Sequence, residues 1–240
     1  ANVTAEMGLK SAAFPPDDKL ADYFGDYAVQ GVWADRDAMY YKEFEVDLAQ
    51  VIPLVMEVGE INEIKAPGEW GRLEIQQGLI GACASGRLED LRVVARILDG
   101  KKIASGFQLS IVPASREIYL QAIQEGIIDR LVKSGASILG SSCGPCLGSS
   151  HMIMADTRRF ITTVNSNSMR RLSAIGVEKY VASPATVAMT ALTGVLTVEV
   201  ERTDAKYPYW EMPKVWVTVN EFERRYHNRV WNYGDLNSIA

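Results

Sequence analysis

The sequence predicts an α/β protein built on a doubly wound, mostly parallel sheet. Two observations carry this reading. From Gln76 onward, short apolar runs alternate with stretches of helical periodicity. Repeated strand–helix alternation is the pattern of parallel sheets with helical crossovers. Two of the apolar runs open into loops of small residues that carry thiols, and open α/β sheets build their sites at the carboxyl ends of strands.

Taken in order, residues 1–24 begin helical, through Thr4-Ala5-Glu6-Met7-Gly8-Leu9-Lys10. Phe14-Pro15-Pro16 breaks that helix, and Asp17 or Asp18 is placed to cap a second one through Phe24. Residues 25–74 are poorly patterned. Tyr40 to Leu54 has room for a strand ending at Pro53, and the whole stretch reads as a connection wrapping the surface.

Leu79-Ile80-Gly81-Ala82 is the first short strand. Leu88, Leu91, Val94, Ala95 and Leu98 then share one helical face, and Gly100 is the stop signal. Phe107 to Val112 is a strand ended by Pro113. Ser115 caps the next helix, which Gly126 interrupts before Ile127 to Lys133 resumes it. Ala136 to Leu139 and Phe160 to Val164 are two more strands. Pro184 to Leu192 is a helix with proline in its first turn. The expected domains are 1–74, the end of a preceding domain plus connection; 75–195, the α/β domain; and 196–240, a linker. That last stretch is rich in aromatics, among them Tyr207, Tyr209, Trp210, Trp216 and Trp231, and loses the strand–helix rhythm.

The 240 residues suffice for one large domain or two small ones. A composition 48% hydrophobic and 23% charged is that of a soluble globular protein. A net charge of −5 argues against a broad nucleic-acid footprint. No apolar run reaches the roughly 18 to 20 residues that span a bilayer. Three cysteines with no pairing pattern point to a reducing compartment, most simply the cytoplasm. The opening Ala1-Asn2-Val3 has neither an initiating Met nor a signal-peptide pattern, and the chain is expected to be a fragment or one piece of a split protein.

Chemistry centres on Gly140-Ser141-Ser142-Cys143-Gly144-Pro145-Cys146-Leu147-Gly148. Gly and Pro between the thiols make a turn that aims both sulfurs one way. Such a turn suits an iron–sulfur cluster, a zinc ion or a redox disulfide, and it also occurs as an inert pair. The third cysteine, Cys83, stands in a similar loop. The histidines, His151 and His227, stand in no paired ligand motif. Structural zinc wants four Cys or His ligands, and a redox pair needs no third thiol. Three thiolates without a fourth ligand fit a cubane cluster with one iron open, and an open iron is a Lewis acid.

Five blocks then appear in order: Ile80-Gly81-Ala82-Cys83; Gly86-Arg87-Leu88-Glu89-Asp90-Leu91; Val112-Pro113-Ala114-Ser115-Arg116-Glu117; Cys143-Gly144-Pro145-Cys146-Leu147-Gly148; and Ala182-Ser183-Pro184-Ala185-Thr186-Val187. In this order they resemble the aconitase / 3-isopropylmalate dehydratase large-subunit family, from about Asn2 to Gly194. The resemblance implies a [4Fe-4S] cluster on Cys83, Cys143 and Cys146. It implies a hydro-lyase acting on a small hydroxy acid, such as an isopropylmalate-, citrate- or methylmalate-like one. It makes Glu6 a catalytic carboxylate, with Asn2 beside it on the substrate. Asn165-Ser166-Asn167-Ser168-Met169-Arg170-Arg171 stands where the family has Asn-Arg-Asn-Phe-x-Gly-Arg. Asn165 and Arg171 match, Arg171 as a carboxylate clamp. Ser166 replaces an arginine and Arg170 a glycine. Ala84-Ser85 stands where the family has Thr-Asn. Arg229 to Asp235 loosely resembles the opening of the family's small swivelling domain. The implied partners are a missing N-terminal part and that small domain or subunit, with the isolated chain inactive. Two other readings stand beside this one: a cluster-sensing, RNA-binding regulator of the same family, and a zinc or redox Cys-x-x-Cys module.

Overall fold

The structure is a computed structural model that describes residues 12–15, 17–24, 34–35, 37–47, 51–59, 63–147, 157–165, 176–197 and 215–219. The chain divides into two units, one within residues 3–51 and 206–240 and the other within 52–205.

In the first unit, helix α1 (Asp18–Phe24) is capped by Asp17, whose Oδ1 accepts the Leu20 N–H at 2.8 Å. Strand β1 (Lys42–Val46) lies inside the stretch expected to hold one. It pairs antiparallel with β9 (Val215–Val219), Phe44 opposite Val217.

The second unit carries the site. Its strands are β2 (Val55–Glu57), β3 (Glu63–Lys65), β4 (Gln77–Gly81), β5 (Gln108–Val112), β6 (Ser137–Ile138), β7 (Arg159–Thr162) and β8 (Glu178–Val181). They form one sheet in the order β3-β2-β8-β7-β4-β5-β6. The five strands from β8 to β6 are parallel, and the β2–β3 hairpin joins β8 antiparallel at one edge. Fold class and mostly parallel pairing therefore agree with the sequence reading. Residues 25–74, read as a surface connection, instead contribute β2 and β3. These strands are three residues each, too short for an alternation to register. Strand β8 also went unread, because its Glu-Lys-Tyr-Val has charge where a parallel strand is usually apolar.

Helices α2 (Ala82–Ser85) and α3 (Leu88–Leu98) follow β4. Then come α4 (Arg116–Gln124) and α5 (Ile127–Ser134) after β5, α6 (Gly144–Leu147) after β6 and α7 (Pro184–Thr193) after β8. Their ends are built by local chemistry. Ser115 Oγ accepts the Ile118 N–H at 3.3 Å, and Ser183 Oγ accepts that of Thr186 at 3.1 Å, ahead of Pro184. Gly126, at φ +67°, breaks α4 from α5 where the sequence placed the interruption.

Side chains alternate across a strand, so each strand sorts its residues to two faces. Ile80, Ile111, Ile161 and Tyr180 enter one core with Leu91, Val94 and Leu98 of α3, Ile127 and Leu131 of α5, and Val187 and Ala191 of α7. Full burial of each such Leu, Ile or Val is worth about 1.5–3 kcal/mol against exposure. Their neighbours Leu79, Val112 and Phe160 enter a second, smaller core with Ala82, Leu139, Val164 and Cys146. Thus α6 and its buried thiol lie on the face opposite α3, α5 and α7. Opposite faces follow from the order of crossovers. From β4 to β5 to β6 the chain steps one way, and from β6 it returns past both to β7. Right-handed crossovers put those two movements on opposite faces.

Candidate metal centre

Reversal of strand order makes a switch point beside β4, whose neighbours are β5 on one side and β7 on the other. Crevices at the carboxyl ends of such strands are where open sheets bind ligands. Cys83 sits one turn past the end of β4. The turn is unusual: Gly81 has φ +114° and Ala82 φ +57°. A left-handed Ala is disfavoured by about 1 kcal/mol or more, so surrounding contacts must hold it. Gly86 closes the turn. A Cβ there would lie 2.6 Å from the Ala82 oxygen and 2.7 Å from the Ala114 nitrogen, and it would overlap the Val112 oxygen. The two loops are thereby pressed backbone to backbone, and the Ala114 N–H reaches the Gly86 oxygen at 2.9 Å.

Cys143 and Cys146 reach the same end of the sheet from β6. Leu139 N–H donates to the Ile111 oxygen at 2.8 Å, carrying the pairing one step beyond β6 before the chain turns. Cys143 is exposed in that turn, whereas Cys146, at 6% exposure, packs in the second core. Cys83 is also exposed, and all three thiols are free. Burial, then the nearness of the Cys83 and Cys143 thiols, push the Cys146 thiol up to about 11. The three sulfurs therefore share one electrostatic neighbourhood. Yet among the described residues no three Cys, His, Asp or Glu side chains gather closely enough for a single ion. The two observations are compatible, because charge is felt farther than a coordination sphere extends. One of the three thiols lies in an apolar wall and the other two are open to solvent.

Asn165, three residues beyond the end of β7, is half-buried. Asn2, Glu6, His151, Ser166, Arg170 and Arg171 lie outside the described residues, as does most of 196–240. Sequence reasoning missed Thr162 and Thr163, and singled out Ser85 only as a departure from the family's asparagine. Thr162 Oγ1 donates to the Leu79 oxygen at 2.9 Å and accepts the Val164 N–H at 3.1 Å. Thr163 Oγ1 accepts the Gly81 N–H at 2.9 Å, and its backbone oxygen accepts from Ser85 Oγ at 3.4 Å. Paired threonines ending an apolar strand were the available signal, since buried hydroxyls find partners.

Fold and thiol placement define an α/β domain with a candidate metal centre at its switch point. Residues 57–194 match a model of the aconitase family (aconitate hydratase). This chain belongs to that family. It is similar to the 3-isopropylmalate dehydratase large subunit of Clostridium beijerinckii, at 41% identity over 201 residues, covering 82% of this chain and 48% of that one. It is similar also to a probable methanogen homoaconitase large subunit of Methanosarcina mazei, at 39% over 199 residues, covering 82% and 50%. Among solved structures, Thermococcus kodakaraensis aconitase X aligns at a TM-score of 0.33 and 22% identity, over 43% of this chain and 25% of that one. The chain spans about half the length of the relatives it matches. No helix among the described residues is long and apolar enough to cross a membrane.

Proposed function

We propose that this chain is the cluster-bearing part of a hydro-lyase that moves water across a carbon–carbon bond of a small hydroxy-di- or tricarboxylic acid. The observation that supports it most is the placement of three cysteines, on the two loops that follow β4 and β6, at the carboxyl end of a parallel sheet in a member of the aconitase family. Cys83, Cys143 and Cys146 would hold a [4Fe-4S] cluster. When bound, that group supplies Lewis acidity toward the substrate's hydroxyl and a carboxylate.

The chain's own residues have separate tasks in this reading. Cys146 gives up its proton on binding, so assembly releases acid. Its apolar wall of Leu79, Val112 and Phe160 keeps water from one side of the centre. Glu6, as the acid, gives the departing hydroxyl the proton with which it leaves as water, and as the carboxylate takes a proton back from the water that returns. Arg171 holds a substrate carboxylate with its planar fork, and Asn2 and Asn165 hydrogen-bond the same acid. A partner carrying the swivelling domain, with the remaining N-terminal part, completes the site, in a reducing compartment such as the cytoplasm.

Anaerobic reconstitution with ferrous iron and sulfide tests this reading. Iron and acid-labile sulfide near about four each per chain are expected, and Cys143→Ser should prevent stable assembly. Zinc alone, or a full cluster in that variant, would overturn the assignment.

A further inference from the structure

We propose that Thr163 is a positioning residue that fixes the Cys83 turn to the end of β7. The inference rests on the reading of Cys83 as a cluster ligand. Register carries the argument. Leu79 pairs with Thr162 in the parallel ladder, and the Thr163 N–H donates to the Leu79 oxygen at 3.1 Å. In a parallel ladder the next rung would join the Gly81 N–H to the Thr163 carbonyl. It does not. The Thr163 hydroxyl takes that N–H instead, at 2.9 Å, in a buried bond. The displaced Thr163 carbonyl is left to accept from Ser85 Oγ, at 3.4 Å.

One residue thus grips the Cys83 turn at both ends, two positions before the thiol and two after. Between those grips lies Ala82, in its left-handed conformation. A strained residue persists only where its surroundings over-determine it. On one side Gly86 and Val112 supply that constraint by backbone contact, and on the other Thr163 supplies it by hydrogen bonds. Valine has threonine's shape but cannot accept the Gly81 N–H. Serine can.

The test uses the full-length protein as wild type, Thr163→Val and Thr163→Ser. Amide exchange of residues 81–86 is compared with that of α3, and the reconstituted cluster is followed by electron paramagnetic resonance after one-electron reduction with dithionite and by iron release to a chelator. Thr163→Val should speed exchange in 81–86 by at least about fivefold, leaving α3 unchanged. It should also alter the resonance line shape and hasten iron release, and Thr163→Ser should restore all three. Unchanged exchange in 81–86 overturns the proposal. So does faster exchange with an unchanged spectrum and iron release. Should Thr163→Val fail to accumulate, Ser85→Ala decides, since it removes one grip without orphaning a buried N–H. Faster exchange and iron release in that variant support the proposal, and no change in either sinks it. A wild type that takes up no iron and sulfide removes the cluster reading. The exchange comparison then decides on its own whether Thr163 holds the turn.

Discussion

Gly86 and Gly100 separate two reasons for glycine. Gly86 has an ordinary backbone conformation, so its need is spatial: a methyl group would meet the Val112, Ala82 and Ala114 backbones, and none of these can swing aside. Gly100 has φ +66° and open space around it, so its need is conformational only. Gly86→Ala should therefore cost about 3 kcal/mol or more, and Gly100→Ala only about 1 kcal/mol, by denaturant unfolding. Equal losses would show that the close approach at Gly86 is relaxed. Under the proposed function, residues 166 and 170 would bear on substrate choice. Losing a bidentate charged contact costs about 1.5–3 kcal/mol, so Ser166 in an arginine's place implies an acid that presents its carboxylates differently from citrate, or a guanidinium supplied by Arg170. In the completed enzyme, a tenfold or larger rise in KM for a dicarboxylate on Arg170→Gly supports the second route. A silent Arg170→Gly with gain of citrate-like activity on Ser166→Arg supports the first. A wild type that prefers citrate with Arg170→Gly silent fits neither.

Strands β7 and β8 are clasped by Arg159 and Glu178, whose Nε–Oε2 contact is 2.5 Å, and Tyr180 donates to the same carboxylate at 3.0 Å. The Arg159 guanidinium holds the Glu178 carboxyl below its ordinary range; burial opposes it less strongly, and the Tyr180 hydroxyl adds a smaller lowering effect. A carboxyl with a depressed folded value stabilises the fold above its unfolded value and loses that contribution as pH falls through the folded one. Glu178→Gln should thus flatten the acid limb of stability below about pH 4.5, as read by thermal melts. With the Glu178 side chain 44% exposed, the effect at neutral pH should stay within about 1 kcal/mol. An unaltered acid limb would show that the pair is screened out. At this scale the sequence was legible where periodicity was long. The apolar face of α3, the serine cap of α4 and the Gly126 break all stand where composition placed them. It was illegible where a short element is interrupted by charge, as in β2, β3 and β8, whereas the equally short β6 and β7 sit in apolar runs. Their pairing is set by partners far along the chain. Cysteine spacing announced the site, but Thr163 was hidden because its role depends on which rung of a ladder it meets.

At the scale of the molecule, residues 57–194 match the aconitase family and the chain spans about half of its relatives' length. Alone it should turn over no isopropylmalate, citrate or methylated malate, and supplying the remaining segments with a swivelling-domain partner should restore activity. Turnover by this chain unaided would overturn that expectation. Strand order has a further consequence, for the time course of folding. Central strand β4 finds β5 about thirty residues later but waits roughly eighty for β7, and distant pairings close slowly. All three cysteines precede β7 in the chain. Each thiol therefore leaves the ribosome before the strand that supplies the Thr163 grip. A nascent chain passes through an interval with its sulfurs made and its crevice one-sided. During that interval oxidants have their freest access, so yield from oxygenated cultures should depend on how quickly β7 docks.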